Sequence, residues 1–176
     1  FLSVFCLAQE AGLDSLKIAV ENSKDDTLKV DGLNSLSKRY SILSPPSAIH
    51  FANLAKSLAE KLDYKKGVAF AIKNLGLVYY NQSNFVEAAT YWQQALTIFE
   101  EIGYKKGIAN ILGNFGVLYF DQGDDLKALE YDFSSLKISE EIGDTLRIAT
   151  MLNNIASVYQ NKDNTQQKAL EFYLKG

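Results

Sequence analysis

The sequence predicts an all-α chain, a right-handed α-solenoid of antiparallel helix pairs. Three observations carry that expectation. A unit of forty residues recurs along the chain, and apolar residues within each copy follow helical spacing. The two prolines, Pro45 and Pro46, are adjacent, so about 130 residues after them contain nothing that must break a helix.

Composition narrows the function classes. Of 176 residues 47% are apolar and the net charge is −3, which fits a folded chain and excludes disorder. A pI near 5.2, with lysines matched by nearby carboxylates, leaves no basic stripe for a phosphate backbone, so no nucleic-acid partner is expected. Cys6 and His50 are the only residues of their types and lie far apart in sequence. They provide neither a disulfide framework nor a zinc ligand set, and no cofactor is expected.

The repeat is legible residue by residue. Gly67-Val68-Ala69 through Leu75-Gly76-Leu77-Val78-Tyr79 returns as Gly107-Ile108-Ala109 through Phe115-Gly116-Val117-Leu118-Tyr119, then as Arg147-Ile148-Ala149 through Ile155-Ala156-Ser157-Val158-Tyr159. In the second half Ala88 and Tyr91 match Ala128 and Tyr131, while Ala169 and Phe172 come one residue late. A fainter copy aligns Leu36 and Tyr40 with Leu75 and Tyr79, and Ala48, Phe51 and Ala55 with Ala88, Tyr91 and Ala95. The expected divisions are 1-24, an apolar segment and leading helix; 25-64, a degenerate repeat; 65-104 and 105-144, full repeats; and 145-176, a truncated one.

Each unit reads as two helices. Ile72, Leu75, Gly76 and Tyr79 share one face, as do Ala88, Trp92, Ala95 and Phe99. Short polar turns intervene, in which Asn84 or Asp124 can cap the second helix. Gly103 and Gly143 suit a left-handed helix end, Asp144 can cap the helix that follows, and Ser44 with Pro45 can open another. Gly76 and Gly116, facing Ala88 and Ala128, permit close backbone approach.

Leu75, Gly76 and Tyr79 on the first helix with Ala88, Trp92 and Ala95 on the second resemble the tetratricopeptide repeat, and Phe115, Gly116, Tyr119, Ala128 and Leu136 follow the pattern less fully. The resemblance extends over about 150 residues. The forty-residue step, with Glu100 or Glu140 where the common form ends in proline, is similar to a longer-helix type found in bacterial regulatory proteins. The resemblance implies a superhelix whose concave groove, lined by first helices, takes a protein or peptide. It also implies a place in the sensory part of a larger signalling protein, such as a histidine kinase or nucleotide cyclase.

The candidate groove residues are Asn74, Asn114 and Asn154, at one position of three copies, with Lys73, Asn110, Leu77, Val117, Tyr80 and Phe120 around them. An amide offers donor and acceptor to a peptide backbone, and the resemblance implies that use. The competing reading is that each asparagine bridges helices within the scaffold. A carboxylate clamp of the family's chaperone-binding kind is not matched: Lys73 and Asn114 fit it, whereas Leu77, Thr150 and Asn154 do not.

Other motifs reduce to structure. Glu100-Glu101 and Glu140-Glu141 recur with the repeat, and adjacent helical residues point about 100° apart, which does not suit acid and base chemistry. Lys65-Lys66-Gly67 and Lys105-Lys106-Gly107 lack a preceding strand and phosphate-loop spacing, and read as solvated helix starts. His50 reads as a partly exposed packing residue, and Trp92 and the tyrosines as core. No catalytic constellation is present, so the chain is not expected to be an enzyme.

Phe1 to Ala8 is too short to span a bilayer. It resembles the end of a secretory leader cleaved after Ala8, which would place the chain outside the cytoplasm; the alternative is a cytoplasmic chain whose first helix packs on the first repeat. Ala169 to Lys175 reads as a second helix without a cap, pointing to continuation of the chain or to a homodimer formed through terminal helices. That self-associating or spacer module is the alternative to a ligand-binding scaffold.

Overall fold

The computed structural model describes residues 2–160, 171, 172, 174 and 175, with side chains from residue 12 onward. Among the described residues there are eight helices and no strand: α1 (Leu2–Glu21), α2 (Thr27–Leu43), α3 (Pro45–Lys61), α4 (Lys65–Asn81), α5 (Phe85–Glu101), α6 (Lys105–Asp121), α7 (Asp125–Ile142) and α8 (Thr145–Gln160).

The turns set this rhythm. Positive φ occurs at Asp63 (51°), Ser83 (59°), Gly103 (65°), Gly123 (76°) and Gly143 (67°), so the chain reverses every twenty residues from α3 onward. At each turn the next residue's N–H reaches back five positions. Tyr64 donates to Ala59 O, Asn84 to Tyr79 O, Tyr104 to Phe99 O, Asp124 to Tyr119 O and Asp144 to Ser139 O, all within 2.8–3.0 Å. Each bond satisfies a carbonyl that the ending helix would otherwise orphan. Gly103 and Gly143 stand where the sequence asked for glycine, while Asp63 and Ser83 carry a Cβ in the same conformation.

Three helix starts are capped by carboxylates, whereas Tyr64 and Tyr104 precede α4 and α6 without a side-chain cap. Asp26 accepts from Lys29 N at 3.0 Å, Asp124 from Lys127 N at 3.1 Å and Asp144 from Arg147 N at 3.2 Å. Ser44 departs from expectation: its hydroxyl pairs with that of Ser47 at 2.8 Å and caps no backbone N–H. The α2–α3 joint is a single residue, with Pro45 opening α3.

The helices form two compact units, Phe1–Ile98 and Phe99–Gly176. In the first, Leu13 and Val20 of α1 pack with Leu33, Leu36, Phe51, Ala55 and Ala71. The side chains on which the leader reading rests lie outside the described residues, and no described helix is long and apolar enough to cross a membrane. In the second unit Leu136, Met151, Leu152 and Ile155 form the centre, bordered by Leu129, Ile148, Tyr159 and Phe172.

One ring stack closes each helix pair. Tyr40 lies on Phe51 (5.5 Å between centroids), Tyr79 on Tyr91 (5.3 Å), Tyr119 on Tyr131 (5.3 Å) and Tyr159 on Phe172 (5.6 Å). Such pairs contribute about 0.5–1.5 kcal/mol beyond their buried area. Phe172 keeps this contact although it arrives one residue late in the sequence. Ala169 itself lies outside the described residues.

The turns yield a paired expectation for urea unfolding. Ser83→Gly relieves a left-handed Cβ and should stabilise by about 0.5–1 kcal/mol, whereas Gly143→Ala imposes one and should cost about 1 kcal/mol or more. Equal midpoints for the two variants would contradict the account of the turns.

Candidate binding surface

The geometry of the first helices begins at the helix crossings. In unit 1 a Cβ added to Gly76 would strike the Trp92 indole, and Ala88 O lies 3.1 Å from the same point. The glycine therefore lets α5 close on α4. Trp92, 1% exposed, fills the space, and its Nε1 donates to Lys73 O at 3.1 Å. Tyr80 joins this cluster with its ring 5.5 Å from Trp92 and 5.8 Å from Phe85.

Asn74 is drawn into the same interior. It is 2% exposed, and its amide donates to Asn34 O at 2.8 Å, with Asn34 Oδ1 at 3.4 Å. Asn34 in turn donates to Gly67 O at 3.1 Å. Two asparagines thus tie α2 to α4, each meeting a buried backbone carbonyl. This is the bridging arrangement, and it sets Asn74 against the expectation of an open face. Lys73 is also buried, with Nζ 4.9 Å from the centre of the Phe70 ring. Leu77 is half-buried. The cause is crowding around α4, which packs on both α2 and α3 and also meets Trp92 of α5.

Unit 2 leaves more of its first helices accessible. Asn110, Asn114, Val117 and Phe120 of α6 are half-buried. On α8 Asn153 is exposed and Asn154 half-buried, its amide 3.5 Å from Asp132 Oδ1. Helices α6 and α8 are in contact, so amides and apolar groups lie on neighbouring first helices of one unit.

Two features escaped the sequence reading. Asn34 lies forty residues before Asn74 and so extends the asparagine series, but matching Leu36 and Tyr40 to Leu75 and Tyr79, a step of thirty-nine, placed it out of line. Asp132, Ser135 and Ser139 stand where the preceding copy has Trp92, Ala95 and Phe99, and all three are buried. The polar substitution at apolar positions was the available signal.

The remaining candidates are structural contacts. Lys105 pairs with Glu141 at 3.0 Å and Lys106 with Asp144 at 3.2 Å, which engages both the lysine run and the acidic pair. His50 is exposed and meets Phe51 edge-on at 5.4 Å. Burial, then the neighbouring Tyr79 or Tyr119, pushes the Tyr91 and Tyr131 hydroxyls up, so both stay neutral in their stacks. Among the described residues no group of three or more His, Cys, Asp or Glu could hold a metal ion.

Gly76→Ala should cost more than about 2 kcal/mol, because indole and backbone leave no volume for a methyl group. Trp92 is the single tryptophan, so its fluorescence should show both a lower denaturation midpoint and a wetter indole. A spectrum and midpoint like those of the parent chain would refute the tight crossing.

Comparison with known proteins agrees with this architecture. Residues 67–141 match the family model described as tetratricopeptide repeat. No curated protein matches the chain. Among solved structures, a Signal Transduction ATPase with Numerous Domains with a tetratricopeptide repeat sensor, from Pyrococcus horikoshii, aligns at TM-score 0.73 and 20% identity, covering 98% of this chain and 28% of that one. Aspartyl phosphate phosphatase F from Bacillus subtilis aligns at 0.70 and 18%, covering 97% and 55%. BtubC from P. vanneervenii aligns at 0.63 and 20%, covering 92% and 70%. The chain thus spans about half of the phosphatase and little over a quarter of the Pyrococcus protein. These likenesses establish the fold of stacked antiparallel helix pairs, and residues 67–141 match the tetratricopeptide repeat model.

Proposed function

We propose that the chain is an interaction scaffold, not an enzyme, and that unit 2 presents a peptide-binding face on α6 and α8. The observation that supports this reading is the stripe Asn110, Asn114 and Val117, at i, i+4 and i+7 of α6, left half-buried beside the exposed Asn153 of α8. Side-chain amides can donate to and accept from the backbone of an extended segment, while Val117 and Phe120 supply apolar contact. Asn74 and Lys73 contribute to this function by holding α4 in place.

The wider role follows the same line: the chain is the sensing or interaction part of a larger bacterial signalling protein. A solved structure of similar fold is described as a signal-transduction ATPase whose repeat is its sensor, which supports that setting. A second reading, self-association, is favoured by Leu126, Leu146 and Leu174, which are each more than three quarters exposed in unit 2.

Selection of a random peptide library on the intact chain tests the first reading. Enriched peptides should lose at least about tenfold in affinity when Asn110→Ala, Asn114→Ala and Val117→Ser are combined, with the melting temperature held within a few degrees. No enrichment, or unchanged affinity in the variant, would reject the α6–α8 face. A concentration-dependent dimer in light scattering, abolished by Leu126→Glu with Leu146→Glu, would favour self-association instead.

A further inference from the structure

Unit 2 places a carboxyl where unit 1 places an indole. Trp92 and Asp132 occupy one position of successive repeats, and each is 1% exposed. Trp92 covers Gly76; Asp132 covers Gly116, with Oδ1 lying against the point a Cβ would occupy. The carboxyl is therefore sealed at the α6–α7 crossing.

Few donors reach it there. Asn154 Nδ2 lies at 3.5 Å from Oδ1, the outer edge of hydrogen bonding. Ser135 is buried nearby on α7, but its hydroxyl donates to Ala109 O at 2.7 Å, and that of Ser139 donates to Ser135 O at 2.7 Å. A hydroxyl has one proton, so neither serine can donate to Asp132 as well. An ionised carboxylate needs several donors to offset the loss of water, while its protonated form needs far less.

Charged groups on the surrounding helices are engaged elsewhere. On α6, Lys105 and Lys106 pair with Glu141 and Asp144, and Asp121 closes the helix. On α8, Arg147 lies at the first turn, its guanidinium 3.5 Å from the Cβ position of Gly113, one turn before Gly116, and its backbone N–H donates to Asp144. On α7 itself Lys127 pairs with Asp124, and Glu130, Lys137, Glu140 and Glu141 are exposed. Tyr119, Tyr131 and Tyr159 of these helices are engaged in ring stacks. None of them offsets the charge of Asp132. Burial pushes its carboxyl up to about 7, with the Asn154 amide pulling the other way.

We propose that Asp132 is a proton-operated latch on the α6–α7 crossing: the protonated carboxyl fits the closed joint, and losing the proton loosens α7 from α6 and α8. The folded joint holds its proton more tightly than the unfolded chain, whose aspartates titrate near 3.9. The contribution of Asp132 to the stability of unit 2 is then fully present below about pH 4, falls as pH rises from there to about 7, and levels off above it. Near neutral pH the joint is poised, so a modest change in acidity alters how readily the α6 and α8 surface opens.

Carboxyl carbon NMR of the intact chain from pH 4 to 9, with hydrogen exchange of α6, α7 and α8 amides, tests the latch. The expected result is an Asp132 midpoint near 7, and protection factors in α7, corrected for intrinsic exchange, that fall by up to about tenfold per pH unit between pH 5 and 7. Asp132→Asn should remove that slope and raise protection at pH 8 at least tenfold. A midpoint near 4 with flat protection would overturn the proposal, as would the same slope in Asp132→Asn. Should that variant not fold, the titration of the parent chain decides alone.

Discussion

Two helices can cross closely only where one of them gives up a side chain, and the structure follows from that constraint. At Gly76 the missing Cβ admits the indole of Trp92; at Gly116 it admits the carboxyl of Asp132. Backbone proximity at the crossing brings the ring pair into register one helical turn away, Tyr79 on Tyr91 and Tyr119 on Tyr131. The same closeness puts Lys73 O within reach of the indole and Ala109 O within reach of Ser135. Hydrophobic burial drives the association, while small residues fix its geometry.

The crossings also explain why a recurring residue need not have a recurring job. Asparagine at positions 74 and 154 sits on the same strip of a first helix, yet Asn74 binds the backbone of α2 and Asn154 approaches a buried carboxyl on α7. A repeat copies positions and leaves each copy to meet different neighbours. Where α4 is enclosed by α2, α3 and Trp92, polar side chains become internal ties; on α6 the same strip stays half open.

The fold was largely legible because its signals are local: helical spacing, glycine at the reversals, and carboxylates ahead of helix starts. Gly103, Gly143, Asp124 and Asp144 all act as their positions suggested. Ser44 did not, since a one-residue joint turns its hydroxyl toward Ser47 instead of the helix N–H groups. The candidate surface was harder to read. Treating one face of α4 as packed overlooked that a first helix in a stack is covered by neighbouring first helices as well, which is tertiary information. Asp132 was visible as a letter, but its meaning depends on the Gly116 crossing and on where two serine protons go.

The even spacing of the left-handed turns has a further consequence. Because every reversal from Asp63 to Gly143 comes after twenty residues, gaining or losing one such length would invert the direction of each later helix and exchange its role with that of its partner. Only an even number of these lengths preserves which helix faces which. The heritable unit is thus the pair, and grafting or shortening the chain by single helices would turn surface into seam.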